Sequence, residues 1–393
     1  MSFDMIKLGE ISDITKLAGF EFTKHIKYIE DGEIIALRAL NLRKGELDLT
    51  EIKRIDRAVS ESLTRSKLYE NDILLTYTGN GYGDCAMITE NDKYHLAPNI
   101  CKITPKTEKM DPYYLYAYIR SDLFYQTMSM NMTGSSQPTI PMKTIRVLEV
   151  PVPEKSIQEK IGSISKAIDE KIRINKQINR NLYEQAQALF VNRFVDIPPE
   201  GEQKPLYDFA EYINGTSFKK DEYKMEGIPI IKITELKNGI TSSTQYFAGE
   251  KDKKYDVRNG DILFSWSGNP DTSIDIFIWT HGQGILNQHT FNVKTNDDYK
   301  WFVFLMLKYF KSEFSAIASN KQTTGLGHVT VADLKRLTFV YAREEIESFE
   351  NEVAPIMNLI YKNMLENGKL ESLRDSLLPK LMSGKLDVSD LKI

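Results

Sequence analysis

Cysteine is scarce in this sequence. Cys85 and Cys101 are the only two in 393 residues. That is too few for a disulfide framework and predicts two reduced thiols in a reducing compartment. Long apolar runs are missing as well. No stretch approaches the ~20 residues that a membrane span needs, and the opening MSFDMIKLGEISDI lacks the basic-then-apolar layout of a secretory signal. A cytoplasmic protein without a membrane segment is expected. Nor is there a surplus of positive charge. The net charge of −4 argues against capture of nucleic acid by the whole surface. Residues 1–153 carry −2, residues 194–342 carry −2 and residues 343–393 carry −3, while residues 154–193 alone are net basic at +3. Any phosphate neutralisation must therefore come from local clusters or from partners.

Motifs for catalysis are also lacking. The nearest string to the (N/D)PP(Y/F) loop of an adenine methyltransferase is DIPPE at 196–200, with the wrong spacing. Gly79-Asn80-Gly81-Tyr82-Gly83 follows a strand-like run, but Asp84 stands where a dinucleotide fingerprint needs glycine, so a tight β-turn is expected. No GxxxxGK(S/T) phosphate loop occurs, which excludes a motor. A nuclease-like set can be assembled from Pro270, Asp271, Asp298 and Lys300, as chance often allows. His25, His95, His281, His289 and His328 show no ligand spacing and read as surface or core histidines. No metal site and no cofactor site is expected in this chain.

What the sequence does have is length enough for two domains, a globular balance of 41% hydrophobic and 27% charged residues, and a long helix pattern. Glu154–Arg193 contains no proline and one glycine. Ile157, Ile161, Ile164, Ile168, Ile178, Leu182 and Leu189 recur in steps of three and four, with Lys171, Asn175 and Gln185 at polar seam positions. A helix of about 40 residues spans about 60 Å at 1.5 Å per residue, more than a compact domain. Taken alone, the pattern also fits an ordinary amphipathic core helix. A second such helix closes the chain, with seam residues Ile346, Phe349, Val353, Ile356, Ile360, Leu370 and Leu377, and with Asn363 and Asn367 at mid-seam. Pro355 predicts a kink and Gly368 a weak point.

The rest of the chain repeats itself. The first ~150 residues read as strands and turns, with runs at Ile34–Leu37, Ile73–Tyr77 and Asn99–Thr104 and a helical segment near Pro112–Met130. After the linker FVDIPPEGEQKP the pattern restarts. IKLGEISDI answers to KPLYDFAEYI, NDILLTYTG at 71–79 to GDILFSWSG at 260–268, LAPNICKI to LNQHTFNV, and GSSQPTI at 134–140 to GLGHVTV at 325–331. The expected layout is body 1–153, helix 154–194, body 195–342, and helix with tail 343–393. Short connections require the helices to run antiparallel, with one body at each pole. The fold class expected is α+β: two similar mixed domains separated by two long antiparallel coiled-coil-like helices.

Two copies of a body with (N/G)DILxxxxG, each leading into a long helix, together with the closing ESLRDSLLPKLMSGKLDV at 371–388, resemble the specificity subunit of a type I restriction-modification system over essentially the whole chain. The second copy departs from the pattern at Phe339–Arg343, where FVYAR replaces a proline-rich entry. The resemblance implies two target-recognition domains, each reading one half of an asymmetric bipartite site on double-stranded DNA. It implies helices that set the spacing and dock two methyltransferase subunits, and restriction subunits that join for cleavage. It also implies no catalytic centre in this chain, with S-adenosylmethionine, ATP and Mg held by the partners. A rival from another class is a helical scaffold whose bodies bind protein or glycan.

Base edges are read by polar side chains, while phosphates are held by Lys and Arg. The reading candidates in the first body are Thr76, Tyr77, Thr78, Asn80, Tyr82, Thr133, Ser135, Ser136 and Gln137. Those in the second are Ser265, Trp266, Ser267, Asn269, Gln322, Thr323, Thr324 and His328. For Tyr77 and Trp266, core packing is the competing expectation. The phosphate candidates are Lys24, Arg38, Arg43, Lys44, Lys143, Lys219, Lys220, Lys232, Lys237, Lys321 and Lys335.

Overall fold

The computed structural model describes residues 3–43, 45–79, 81–133, 138–295, 297–322, 326–389 and 391. They form two compact units, Met1–Glu170 with Leu370–Ile393, and Lys171–Lys369. Each unit holds a body and a share of both long helices.

The two bodies share one topology. In the first, Ser12–Lys16, Ile100–Pro105, Ile73–Thr76 and Cys85–Met87 form a four-stranded antiparallel sheet in that order. In the second, Glu211–Asn214, Thr290–Lys294, Ile262–Ser265 and Asp275–Ile278 repeat it. Beside each lies a second sheet of three or four short strands with one parallel pairing, Ile34–Leu37 with Tyr94–Leu96 and Ile228–Ile231 with Gly284–Leu286. A third, two-stranded ladder ties the start of each body to its exit: Asp4–Lys7 with Glu149–Val152, and Glu202–Pro205 with Thr338–Tyr341. The second ladder forms although FVYAR lacks the prolines of the first: both exits are extended runs that pair antiparallel with the start of their body.

Local chemistry sets the other elements. Both faces of the Ile73–Thr76 run are buried, as suits a strand between layers. The expected helical segment near Pro112–Met130 is two helices. Asp111 caps Pro112–Ile119 through the Tyr114 amide at 2.8 Å, and Ser121 caps Asp122–Met130. Cys85 and Cys101 are buried free thiols, and burial pushes each up to about 12, which leaves them inert.

The first long helix spans Lys155–Val191 and ends in a wide turn at Asn192–Asp196. Its buried line keeps a heptad, but one of the two expected rows is shifted by a residue. Ile161 and Asn175 are buried as the seam predicts, while Gln158, Ser165, Ile172 and Ala186, spaced by sevens and fourteens, are buried in place of the neighbouring row, in which Lys171 and Gln185 are exposed and Ile178 is 40% exposed. The second long helix spans Arg343–Met382 and stays helical through Pro355 and Gly368. Ile346, Phe349, Val353, Ile360, Asn363 and Asn367 are buried, as the seam predicts.

Within the second unit the helix segments pair antiparallel. Asn175 donates to Asn367 at 2.9 Å and to Glu366 at 2.7 Å, and Asn363 donates to Asn179 at 2.8 Å. Arg193 pairs with Glu352 at 2.8 Å. Within the first unit Asp169 accepts from Arg120 at 2.8 Å and from Arg374 at 3.2 Å. Both helices also complete the cores. Ile161, Leu378, Leu381 and Met382 join the first core, and Phe190, Phe349 and Val353 join the second.

The one glycine of the first helix has a steric reason. A Cβ on Gly162 would overlap the Asp111 carboxylate that caps Pro112–Ile119. Replacement of a mid-helix glycine by alanine ordinarily gains about 1 kcal/mol. Gly162→Ala is expected to lower the urea midpoint instead; a raised midpoint would contradict the packing.

His95 is buried in the first body, with Nδ1 3.0 Å from the Ser60 hydroxyl. Burial, and then the positive charge of Lys102, lower its pKa to about 4. The unfolded chain therefore binds this proton first as pH falls. The contribution of neutral His95 is complete above the ordinary pKa of about 6.5 and is lost on acidification towards 4. Between about pH 7.5 and about pH 5 the unfolding free energy is expected to fall by about 2 kcal/mol more than in His95→Gln, as measured by urea titration.

Candidate nucleic-acid interface

In each body the central strand hands over to a loop held by two other segments. In the first body the Tyr77 amide donates to the Asn99 carbonyl at 3.3 Å, and the Ile140 amide donates to the Tyr77 carbonyl at 2.9 Å. The Gly79 amide donates to the Pro138 carbonyl at 2.9 Å, and the Thr78 and Thr139 hydroxyls lie 2.6 Å apart. In the second body the Trp266 amide donates to the His289 carbonyl at 3.4 Å, and the Val329 amide donates to the Trp266 carbonyl at 2.8 Å. Ser267–Gly268 then pairs with Gly327–His328, opposing Ser267 to His328. The frame is common to both bodies: the end of a strand, the turn before the neighbouring strand, and the segment leading to a short helix.

The side chains on this frame differ between copies. Tyr77 is half-buried against the first core, which pushes its phenol up, and Lys16 Nζ lies 5.3 Å from its ring centre. Trp266 packs against the second core and donates from Nε1 to Asn214 Oδ1 at 3.0 Å. Packing and an open edge thus coexist at both aromatics. Tyr82 stacks on Tyr125 at 5.2 Å and 18°, and the Tyr125 hydroxyl donates to that of Tyr82 at 2.6 Å. The turn that presents Tyr82 requires glycine at 83, where φ is +87° and a Cβ would meet the Tyr125 ring. Asn269 shapes the second loop by accepting from the Asp271 and Thr272 amides at 3.0 and 3.1 Å. Gln322 is exposed at the end of the helix Lys311–Asn320.

Two reading candidates are withdrawn. Thr76 and Ser265 are each 0% exposed at the ends of their strands, and a side chain inside the sheet layer cannot touch a base edge. Their hydroxyls have no hydrogen-bond partner among the described residues. Lys44, Asn80, Ser135, Ser136, Gln137, Thr323 and Thr324 lie outside the described residues.

The cationic candidates divide by partner. Lys24, Lys143, Lys219, Lys220 and Lys237 are exposed. Arg38 donates to the Glu51 carbonyl at 3.1 Å and to its carboxylate at 3.2 Å, and Arg43 pairs with Asp48 at 3.2 Å. These two arginines therefore brace their own loop. Lys232 donates to Gln245 and lies over Tyr223, and Lys335 lies over Tyr207. Lys321 pairs with Asp333; burial works against that carboxylate, but Lys321 and Thr330 hold it below the usual range.

Sequence reasoning missed Lys16 and Asn214. Their loops are remote in the chain, and only strand register brings them in, with Lys16 opposite Cys101 and Asn214 opposite Phe291. No group of three metal-ligating side chains stands together among the described residues. Asp298 and Lys300 line a cleft with Glu347 and Glu350, while Asp271 belongs to the Asn269 turn, so the nuclease-like string is not assembled there. No helix among the described residues is long and apolar enough to cross a membrane.

Comparison with known proteins fits this arrangement. A family model described as the type I restriction modification DNA specificity domain matches the chain twice, over residues 2–184 and 198–373. The chain is 24% identical to the Type I restriction enzyme MjaIX specificity subunit of Methanocaldococcus jannaschii, covering 93% of this chain and 88% of that one. It is 22% identical to the Type I restriction enzyme HindI specificity subunit of Haemophilus influenzae, covering 96% and 98%. A solved type I restriction-modification S subunit from M. genitalium aligns with a TM-score of 0.58 at 15% identity, covering 97% and 96%, and so shares the fold. With both of its repeated bodies matched, the chain belongs to the type I restriction modification DNA specificity family.

Proposed function

We propose that each body reads one half of an asymmetric, bipartite site on double-stranded DNA, as the recognition chain of a type I restriction-modification complex. One observation carries this reading. The same hydrogen-bonded frame recurs in both bodies, yet it presents Lys16, Tyr77 and Tyr82 in one and Asn214, Trp266 and His328 in the other. A shared frame with unlike exposed groups suits two different half-sites. The exposed Lys24 and Lys143, and Lys219 and Lys220, supply phosphate contacts that fix register without reading sequence. The long helices set the gap and dock two methyltransferase subunits, and restriction subunits join for cleavage. S-adenosylmethionine, ATP and Mg belong to those partners, in a prokaryotic cytoplasm. The chain itself is a non-catalytic reader.

Exchange of residues 1–150 for those of a relative is expected to change one half-site and leave the other intact, as read from modified sites in a host carrying the complex. Change in both halves would contradict independent readers. The buried hydroxyls give a finer expectation. Thr76→Val and Ser265→Ala remove unpaired polar atoms from the sheets and are expected to be neutral or stabilising by up to about 1 kcal/mol. Both half-sites should stay unchanged; a shifted motif in either variant would restore these residues as base contacts.

A further inference from the structure

The two bodies place one residue at the same point of their frames, and its chemistry differs. Lys16 and Asn214 end the first strand of each central sheet, opposite Cys101 and Phe291. Both are exposed, and each touches the aromatic that leads into the loop: Lys16 over Tyr77, Asn214 on the Trp266 indole.

The indole contact settles which way the asparagine amide faces. Trp Nε1 is a donor only, so the atom 3.0 Å from it is the carbonyl oxygen of Asn214. The amide nitrogen, with two N–H donors, then points away from the ring. An asparagine that pairs with adenine must both donate and accept; the Asn214 oxygen keeps a second lone pair, but the indole fixes it on the ring side. The group turned away from the ring is the pair of amide donors. Lys16 offers donors only, from an ammonium steadied by the Tyr77 ring.

We propose that Lys16 and Asn214 are specificity-determining residues, each donating to an acceptor edge in the major groove, with guanine N7 and O6 as the target. Tyr77 and Trp266 act as positioning residues. The inference rests on the DNA-reading role proposed above and assigns one base position in each half-site. Each position requires acceptors, and cytosine, which presents a donor, is rejected there.

The test is selection of duplexes from a randomised DNA library by the full chain assembled with its methyltransferase subunits, with melting temperature as the check on folding. The wild type is expected to select two specified blocks, each with a guanine sensitive to one of these residues. Lys16→Met should lose about ten- to a hundredfold discrimination at one position of the first block and leave the second untouched. Asn214→Asp replaces the donors by acceptors and should move the preference at one position of the second block from guanine towards cytosine. Trp266→Phe should weaken that same position and no other.

Unchanged motifs in Lys16→Met and Asn214→Asp would overturn the assignment, with DNA reading left standing. Uniform weakening across all sequences would also overturn it, because it marks a phosphate contact. A wild-type complex that selects no motif would instead defeat the DNA-reading role, before any variant is compared.

Discussion

Closure of each body by both long helices is the constraint on which the rest depends. The first core is completed by Ile161 from one helix and by Leu378, Leu381 and Met382 from the other. The second is completed by Phe190 and Phe194 from the first helix segment and Phe349 and Val353 from the second, where Phe194 lies 5.0 Å from Phe302 and 5.1 Å from Phe349. Helix pairing and body folding are therefore one event. Apolar closure supplies most of the stability, since buried aromatic side chains dominate such contacts. Direction and register need polar partners as well. Asn175 with Asn367 and Asn179 with Asn363 satisfy one another only in this register, and Asp169 meets both Arg120 and Arg374 only there.

A fixed body makes a precise frame possible. Backbone hydrogen bonds hold Tyr77 and Trp266 in matching positions, so the aromatic anchors and the residues beside them vary without loosening the loop. On the proposed role, that separation of frame from contact lets one fold read two sequences. It also accounts for the acid-rich composition. In that role, phosphate contacts come from local cations rather than from a basic surface: Arg38 and Arg43 brace their own loops, while Lys24, Lys143, Lys219 and Lys220 are exposed.

Much of this was legible in the sequence. The duplication, the strands around NDILLT and GDILFS, the helices and their mid-seam asparagines follow from pattern alone. The seam in the middle of the first helix was not legible. Isoleucine at 178 fits one heptad row, yet the helix buries the row one residue on, with Ser165, Ile172 and Ala186; the polar and small residues there hid it from a pattern of apolar residues alone. Thr76 and Ser265 look like loop residues because they border the turns, but the sheet extends over them. Lys16 and Asn214 carry no local signal; they reach the frame through strand register, which a single sequence does not reveal. Arg38 resembles a phosphate ligand until its partner Glu51 folds against it.

The central claim is that two different readers address one split site. It is tested most directly by mapping every modified adenine in the genome of a host that carries this chain with its methyltransferase subunits. The account predicts two unlike specified blocks separated by a run of unspecified bases of constant length. A single unbroken block, or two identical half-sites, would contradict it.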